Sequence, residues 1–140
     1  MKKVTYKLID HTADFGIEVT GADQKELFGN AALAMFDLIT NCNDLTGQNK
    51  SEFQVNGADY CDLMVNWLRE LLYLWNGRKM LLKSVDMLSS SKNEASASIT
   101  YDMFDPDTHE VKNEIKAVTY HQIKVDKTSR GWIAHIIFDV

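Results

Sequence analysis

The 140-residue sequence predicts an α+β domain, with two helices packed on one face of a mixed, largely antiparallel sheet. Two segments place apolar residues at helical spacing, and several others alternate apolar and polar residues as half-buried strands do. The resulting order, β-β-α-β-α-β-β-β-β, lacks the regular βα alternation of a parallel sheet. No internal repeat, linker or low-complexity segment divides the chain, so residues 1–140 are expected to form one domain.

The first helix follows two predicted strands and precedes a third. Phe15, Ile17 and Val19 alternate with smaller or polar residues, which is the period-two pattern of a half-buried strand. The pattern then changes to helical spacing, and Asp23 and Glu26 are placed as in a capping box. These elements are strands at residues 4–8 and 15–20, a helix within residues 20–40 and a strand at residues 51–57.

The second helix has the wider apolar face. Asp59 can cap its start, and Asn76 with Gly77 would end it, because both residues tolerate a left-handed conformation. The apolar stripe between them is too wide for a surface helix, so we expect it to lie across a sheet in the core. Its members are Leu63, Met64, Trp67, Leu68, Leu71, Leu72 and Trp75.

The remainder of the chain is rich in strand-forming residues. A hairpin is predicted through Ser91, Lys92 and Asn93, because its second arm alternates cleanly. Pro106 lies in a polar loop, after which a turn joins two more strands. The predicted strands are residues 83–91, 93–104, 114–127 and 131–140.

Charge and composition argue against several classes of function. The formal net charge is −5, whereas non-specific binding of nucleic acid requires a basic surface. No apolar run reaches the roughly 18 residues of a membrane span, and the amino terminus lacks the apolar segment of a signal peptide. Cys42 and Cys61 have no metal-binding spacing, so we expect reduced thiols in a cytoplasmic protein.

No standard catalytic fingerprint is present. The sequence has no Walker loop, no G-x-G-x-x-G, no H-E-x-x-H and no G-x-S-x-G motif. Neither thiol has a base nearby in the chain, so a nucleophilic site cannot be assembled from the sequence. We therefore expect no catalytic residue.

Acidic side chains occur at two places that a sheet could bring together. Asp10, His11 and Asp14 interrupt the apolar pattern between the first two strands, and Asp139 and Val140 end the last strand. If both places share one rim of the sheet, Asp14, Asp139 and the terminal carboxylate converge and require a cation. Oxygen ligands favour Ca²⁺ or Mg²⁺, or Mn²⁺, over zinc. The alternative is that the aspartates are solvated ends of strands.

The remaining histidines are more typical of structural positions than of catalysts. Tyr120 and His121 are neighbours in a predicted strand and would point to opposite faces of it. His135 lies in a strongly apolar strand, and we expect His109 to be exposed in the acidic loop.

Five segments, in order along essentially the whole chain, resemble the archease family. The more specific pieces are "HTAD" and "KAVTYH", and each would be weak alone. The segments are "DHTADFGIEV", "LFGNAALAMFDLIT", "VNWLRELLYLW", "HEVKNEIKAVTYHQIKV" and the final W-x-A-x-x-x-F-D-V. One departure is that Tyr101 and Asp102 stand where archeases often carry a Gly-Glu pair.

The resemblance implies a strand-helix-strand-strand module with an insertion. It also implies a non-enzymatic activator of the RtcB-type RNA ligase, which joins tRNA halves using GTP and a divalent metal. Such an activator promotes guanylylation of the ligase, and neither nucleic acid nor a membrane is an expected direct partner. The family's metal site, carried over to this chain, consists of Asp14, Asp139 and an oxygen of Val140. The expected metal is Ca²⁺, with Mg²⁺ or Mn²⁺ as alternatives.

Two other functions remain open from the sequence. The same carboxylates could serve a small metal-dependent hydrolase or phosphotransferase, with His11 or His121 as general base. A general chaperone would instead expose apolar surface, including Trp67, Trp75 or Trp132. Activity of the isolated protein on nucleotides would favour the metal-dependent enzyme over the ligase activator. Burial of the three tryptophans would count against the general chaperone.

Overall fold

The computed structural model describes residues 5–9 and 14–140. The helices are α1 (Gln24–Ile39) and α2 (Tyr60–Arg78). The strands are β1 (Lys7–Ile9), β2 (Phe15–Gly21), β3 (Asn49–Asn56), β4 (Met80–Ser90), β5 (Glu94–Met103), β6 (Ala117–Val118), β7 (Lys124–Thr128) and β8 (Gly131–Asp139). The two predicted helices and the predicted hairpin of β4 and β5 are thus confirmed.

The strands form two antiparallel sheets, where the sequence predicted one. The first sheet has the order β1-β2-β8-β6, with β7 also paired to β8, and the second has the order β3-β5-β4. Each helix packs against strands of both sheets instead of lying on one face of a single sheet. The α+β class, the two helices and the antiparallel pairing are as predicted.

The distribution of buried residues on α1 explains why two sheets are needed. Nine of its 16 residues are buried, including the consecutive pairs Leu27–Phe28 and Met35–Phe36. Consecutive helical residues point about 100° apart, so such pairs cannot face a single surface. The helix therefore requires packing partners on more than one side.

Each sheet is built around a strand-helix-strand-strand module, and the two modules share one topology. In the first module, β2, α1, β7 and β8 follow in chain order, and β8 lies between β2 and β7. In the second, β3, α2, β4 and β5 follow in order, and β5 lies between β3 and β4. The family resemblance implied one module with an insertion, and the insertion is itself a second module of the same kind.

The joint between strand and helix is also repeated, a feature that the sequence analysis missed. Residues 20–30 read TGADQKELFGN and residues 56–66 read NGADYCDLMVN. In each joint an aspartate caps the helix, an acidic side chain accepts from the alanine N–H, and an asparagine ties the helix to its strand. The hydrogen bonds are Glu26 N to Asp23 Oδ1 and Asp62 N to Asp59 Oδ1 (both 2.8 Å), Ala22 N to Glu26 Oε1 (3.2 Å) and Ala58 N to Asp62 Oδ2 (2.8 Å), and Asn30 Nδ2 to Thr20 O (3.0 Å) and Asn66 Nδ2 to Asn56 O (2.9 Å).

Several predicted element boundaries are corrected, beginning with the first strand, which is Lys7–Ile9 rather than residues 4–8. Helix α2 does not end at Asn76 and Gly77 but continues to Arg78, and Lys79 takes the left-handed conformation with φ 57°. The predicted strand at residues 114–127 is divided into β6 and β7, because the chain turns between them and Gln122 has φ 54°. Within residues 5–9 and 14–140, no helix is long and apolar enough to cross a membrane.

Candidate functional site

Asp14 and Asp139 lie at the same end of the strand pair β2 and β8. Phe15 pairs with Phe138 in this antiparallel ladder, so Asp14 immediately precedes the pair and Asp139 immediately follows it. The ladder ends at this pair, and Asp14 lies in a bend just before β2, whereas Asp139 is the last residue of β8. The ladder thus brings both carboxylates to one rim of the sheet.

The rim is accessible to solvent. Phe138 is fully buried, and side chains alternate along a strand, so the exposed Asp139 projects to the face opposite the core. Asp14 is half-buried, and Val140 is 37% exposed. Among the residues that the structure describes, no cationic side chain forms an ion pair with Asp139.

The donor set is suited to a hard divalent cation. Asp14, Asp139 and Val140 would offer oxygen ligands only, which suits Ca²⁺, Mg²⁺ or Mn²⁺ better than zinc. In the described part of the chain, no group of three or more His, Cys, Asp and Glu side chains is arranged to hold a metal. Backbone oxygens and water would therefore complete a Ca²⁺ shell of about six to eight ligands. His11 and Asp10 lie outside the described residues.

The second module provides a comparison within the same molecule. Val19 pairs with Ala134 in the first module and Val55 with Ala95 in the second, and the ladders continue in the same register. At the position equivalent to the two aspartates, the second module pairs Lys50 with Thr100. The pair of carboxylates is therefore a feature of the first module and not of the shared topology.

Residues 115–120 run along the end of β8 and fix its backbone. The Lys116 N–H donates to the Asp139 carbonyl oxygen at 2.8 Å, and the Thr119 N–H and hydroxyl donate to the Ile137 carbonyl oxygen at 3.1 and 2.9 Å. The β6 ladder itself contains only two pairs, Ala117 with Asp139 and Val118 with Phe138. The backbone conformation of Asp139 thus depends on this segment.

Helix α2 holds the other side of the same segment. Asn76 Nδ2 donates to the Ile115 carbonyl oxygen at 3.0 Å, and Arg69 Nε donates to the Val118 carbonyl oxygen at 3.1 Å. The Arg69 guanidinium lies 4.8 Å from the centre of the Tyr120 ring. The Tyr120 hydroxyl in turn donates to Asp62 Oδ1 at 2.6 Å.

The sequence analysis did not identify the helix side of this contact. Asp62, Arg69 and Asn76 are spaced seven apart, so they lie along one face of α2. A polar stripe at that spacing was visible in the sequence, but nothing there indicated which segment it contacts. Only the packing of residues 115–120 against α2 shows its role.

The contact between Tyr120 and Asp62 shifts the pKa values of both groups away from neutrality. The hydrogen bond from Tyr120 lowers the pKa of Asp62, and the bond from the Ala58 N–H lowers it further. The bond to Asp62 raises the pKa of Tyr120, with a further increase from burial. The carboxylate therefore stays ionised and the phenol protonated across neutral pH, so this contact does not depend on pH there.

The structure describes three of the four histidines, His109, His121 and His135, each in a different setting. His135 pairs across the sheet with Glu18, with Nε2 2.8 Å from Oε2. His121 is exposed and lies in the turn after β6, so the expectation that it lies in a strand was wrong. His109 is half-buried rather than exposed, and its Nδ1 accepts from the Asp105 N–H at 2.9 Å.

The described apolar side chains give little support to a chaperone that uses exposed tryptophans. Trp67 is fully buried, Trp75 is 4% exposed, and Trp132 is half-buried against Tyr60. Cys42 and Cys61 are both free thiols, and burial raises the pKa of each. Neither thiol is therefore activated as a nucleophile.

Comparison with known proteins places the whole described fold in one family. The Archease protein family model matches residues 6–140. The archeases of Methanosarcina mazei and Archaeoglobus fulgidus are each 34% identical to this chain and cover 96% of it, with 95% and 98% of their own lengths matched. The archease of Pyrococcus abyssi is 33% identical over 94% of this chain and 95% of its own length.

A solved structure has the same fold. The solution structure of protein 1598 of Methanobacterium thermoautotrophicum matches with a TM-score of 0.82 and 28% sequence identity. The match covers 96% of this chain and 98% of that one. The chain, with its two nested modules and the pair of aspartates at one rim of the first sheet, belongs to the archease family.

Proposed function

We propose that this protein is a non-enzymatic activator of an RtcB-type RNA ligase, and that Asp14, Asp139 and an oxygen of Val140 hold a divalent cation. Ca²⁺ is the expected metal, with Mg²⁺ and Mn²⁺ as alternatives. The observation that carries the proposal is the register of β2 and β8, which brings Asp14 and Asp139 to one rim of the sheet. Membership of the archease family supports the partner.

The residues of this chain have separate roles in the proposal. The bound metal would supply a local positive charge that can attract phosphate or carboxylate oxygens of the partner. Asp139 presents its carboxylate from a backbone that Lys116 fixes through its N–H. Asp14 approaches from the bend immediately before β2, next to the last pair of the β2 and β8 ladder, Phe15 with Phe138.

The charge of the protein supports binding to a ligase rather than to RNA. A net charge of −5 opposes contact with the phosphate backbone but favours approach to a basic, RNA-binding protein. Such steering weakens with salt, so stimulation of the ligase should decline as ionic strength rises.

The direct test is a time course of guanylylation of the cognate ligase with and without this protein. We expect Asp14→Ala and Asp139→Ala each to abolish the stimulation, because each removes a charged metal ligand. Asp86→Ala is the matched control, since Asp86 is an exposed strand carboxylate in the second sheet. Full stimulation by both ligand variants would refute the proposed site.

Metal binding can be measured on the isolated protein by calorimetric titration with Ca²⁺ and then Mn²⁺. We expect the wild type and Asp86→Ala to bind one ion and the two ligand variants to lose binding. The same preparation, incubated with nucleotides and phosphodiesters, should show no turnover. Hydrolysis or phosphoryl transfer by the isolated protein would favour the alternative of a metal-dependent enzyme.

A further inference from the structure

We propose that Asp62, Arg69 and Tyr120 form a latch whose role is to position Asp139 at the metal site. The latch holds residues 115–120 against α2, and the same residues hold the end of β8. This inference rests on the proposed function, because it assigns positioning residues to the site formed by Asp14, Asp139 and Val140. None of the three latch residues would touch the metal.

The first step of the argument is that β6 cannot hold its own position. Its ladder contains two pairs, and isolated strand pairs of that length are not stable by themselves. The residues that follow turn away at His121 and Gln122, where φ is 54°. Contacts beyond this short ladder are therefore needed to keep the Lys116 N–H on the Asp139 carbonyl oxygen, and they come from the segment's own buried apolar side chains and from the bonds to α2.

The second step is that the contacts alternate between the two neighbours of the segment. The carbonyl oxygens of Ile115 and Val118 accept from α2, whereas the N–H groups of Lys116 and Thr119 donate to β8. A shift of the segment along α2 would therefore break the bonds to β8 as well. Asp139 lies one residue beyond the last pair between β2 and β8. The bonds from residues 115–120 therefore restrain its backbone where the β2 ladder does not.

The third step concerns the geometry of the latch. Arg69 contacts the segment twice, through Nε to the Val118 carbonyl oxygen and through its guanidinium plane over the Tyr120 ring. Asp62 is itself fixed by the Ala58 N–H at the start of α2, so the Tyr120 hydroxyl bonds to a carboxylate that is already oriented. Arg69 and Tyr120 are exposed, so the latch contributes more to local order than to burial.

The test uses Arg69→Lys, which removes the planar donor, and Tyr120→Phe, which removes only the hydroxyl. The same helix provides matched controls, because Arg78 lies over the Tyr73 ring at 5.8 Å without holding residues 115–120. Arg78→Lys and Tyr73→Phe therefore make the same chemical changes at another pair. Asp139→Ala serves as the variant of the site itself.

Two readouts at 25 °C, on variants whose folding is first checked by circular dichroism, separate positioning from general stability. The first is hydrogen exchange at the Lys116 and Thr119 amides, which should be about tenfold faster in both latch variants. The second is Ca²⁺ affinity, which should be about tenfold weaker in them, as is typical when a group that orients a metal ligand is lost. The two control variants should match the wild type in both measurements.

The outcomes distinguish the latch from the proposed function. If Asp139→Ala binds Ca²⁺ like the wild type, the metal site is refuted, and the latch with it. If Asp139→Ala loses binding while Arg69→Lys and Tyr120→Phe bind and exchange like the wild type, the latch alone is refuted. Equal weakening by Arg78→Lys and Tyr73→Phe, or faster exchange without loss of affinity, would also refute it.

Discussion

At the scale of single residues, Asp102 is a buried carboxylate that holds a neighbouring loop by hydrogen bonds. It is 7% exposed, and its oxygens accept from the Thr46 and Gln48 N–H groups at 2.6 and 2.9 Å. Burial raises its pKa, but hydrogen bonds from the backbone of Gln48, Thr46 and Gly47 outweigh this, so the net pKa is lowered. Asp102 pairs with Leu81 in β4 next to an irregularity of the ladder between Leu82 and Ser84, and its carboxylate anchors the loop at Thr46–Gln48.

Asp102→Asn should destabilise the protein by about 1–3 kcal/mol at pH 7, because backbone donors lose a charged acceptor. A carboxylate with a lowered folded pKa stabilises the fold above its unfolded pKa of about 3.9, and this contribution disappears as the pH falls through the folded pKa. The difference between wild type and variant should therefore shrink between pH 5 and pH 2, roughly the range in which such carboxylates titrate. Urea unfolding at several pH values measures it.

The exposed Asp86 is the control for this prediction. Asp86→Asn should change the free energy of unfolding by no more than about 0.5 kcal/mol at either end of the pH range. A constant gap between wild type and Asp102→Asn at all pH values would contradict the assignment of a lowered pKa.

At the scale of elements, the repeated joints determine how each helix leaves its strand. A side chain at Gly21 or Gly57 would place its Cβ within 3.0 Å of the backbone of Leu27 or Leu63, respectively. The close approach of strand and helix therefore requires glycine at both joints. Each joint then relies on its own aspartate cap, Asp23 or Asp59.

Gly21→Ala and Gly57→Ala should each destabilise the protein by about 1–3 kcal/mol or more, because backbone atoms must shift to admit the methyl group. Gly29→Ala makes the same change inside α1, where the nearest atom to the new Cβ is Met87 Cγ at 3.9 Å. The free energy of unfolding of Gly29→Ala should therefore be about 0.5–1 kcal/mol higher than that of the wild type. Thermal unfolding of the three variants ranks them, and equal effects would contradict the proposed close approach.

At the scale of the whole molecule, the two modules share one core. Trp67 of α2 is fully buried, stacks on Phe53 at 5.1 Å and donates its indole N–H to the Phe28 carbonyl oxygen of α1 at 2.9 Å. The contact joins the helix of one module to the helix of the other. Neither module buries its helix without the other, so we expect the protein to unfold in a single transition.

Trp67→Phe should lower the free energy of unfolding by about 2–4 kcal/mol, because it leaves a cavity and removes the donor to a buried carbonyl oxygen. Trp132→Phe, at a half-buried position, should cost less. Far-ultraviolet circular dichroism and tryptophan fluorescence should report coincident urea transitions for both variants. Separate transitions for the two probes would show that the modules unfold independently.

The sequence by itself determined the two helices, their aspartate caps and most of the strands, because these depend on local periodicity and on side chains within one turn. The sequence also contains the repeated strand-to-helix joint, which a comparison of residues 20–30 with residues 56–66 would have revealed. The positions of Asp14 and Asp139 at the ends of predicted strands suggested a cation site, and the resemblance of the motifs named the family and supported those two residues as ligands. Tertiary structure alone decided that the strands divide into two sheets, since α1 must be buried on several sides. It also decided that residues 114–127 do not form one strand, because residues 115–120 divide their backbone groups between α2 and β8 and the chain then turns at Gln122. Such partners lie far apart in the chain, and no local pattern specifies which of them will meet.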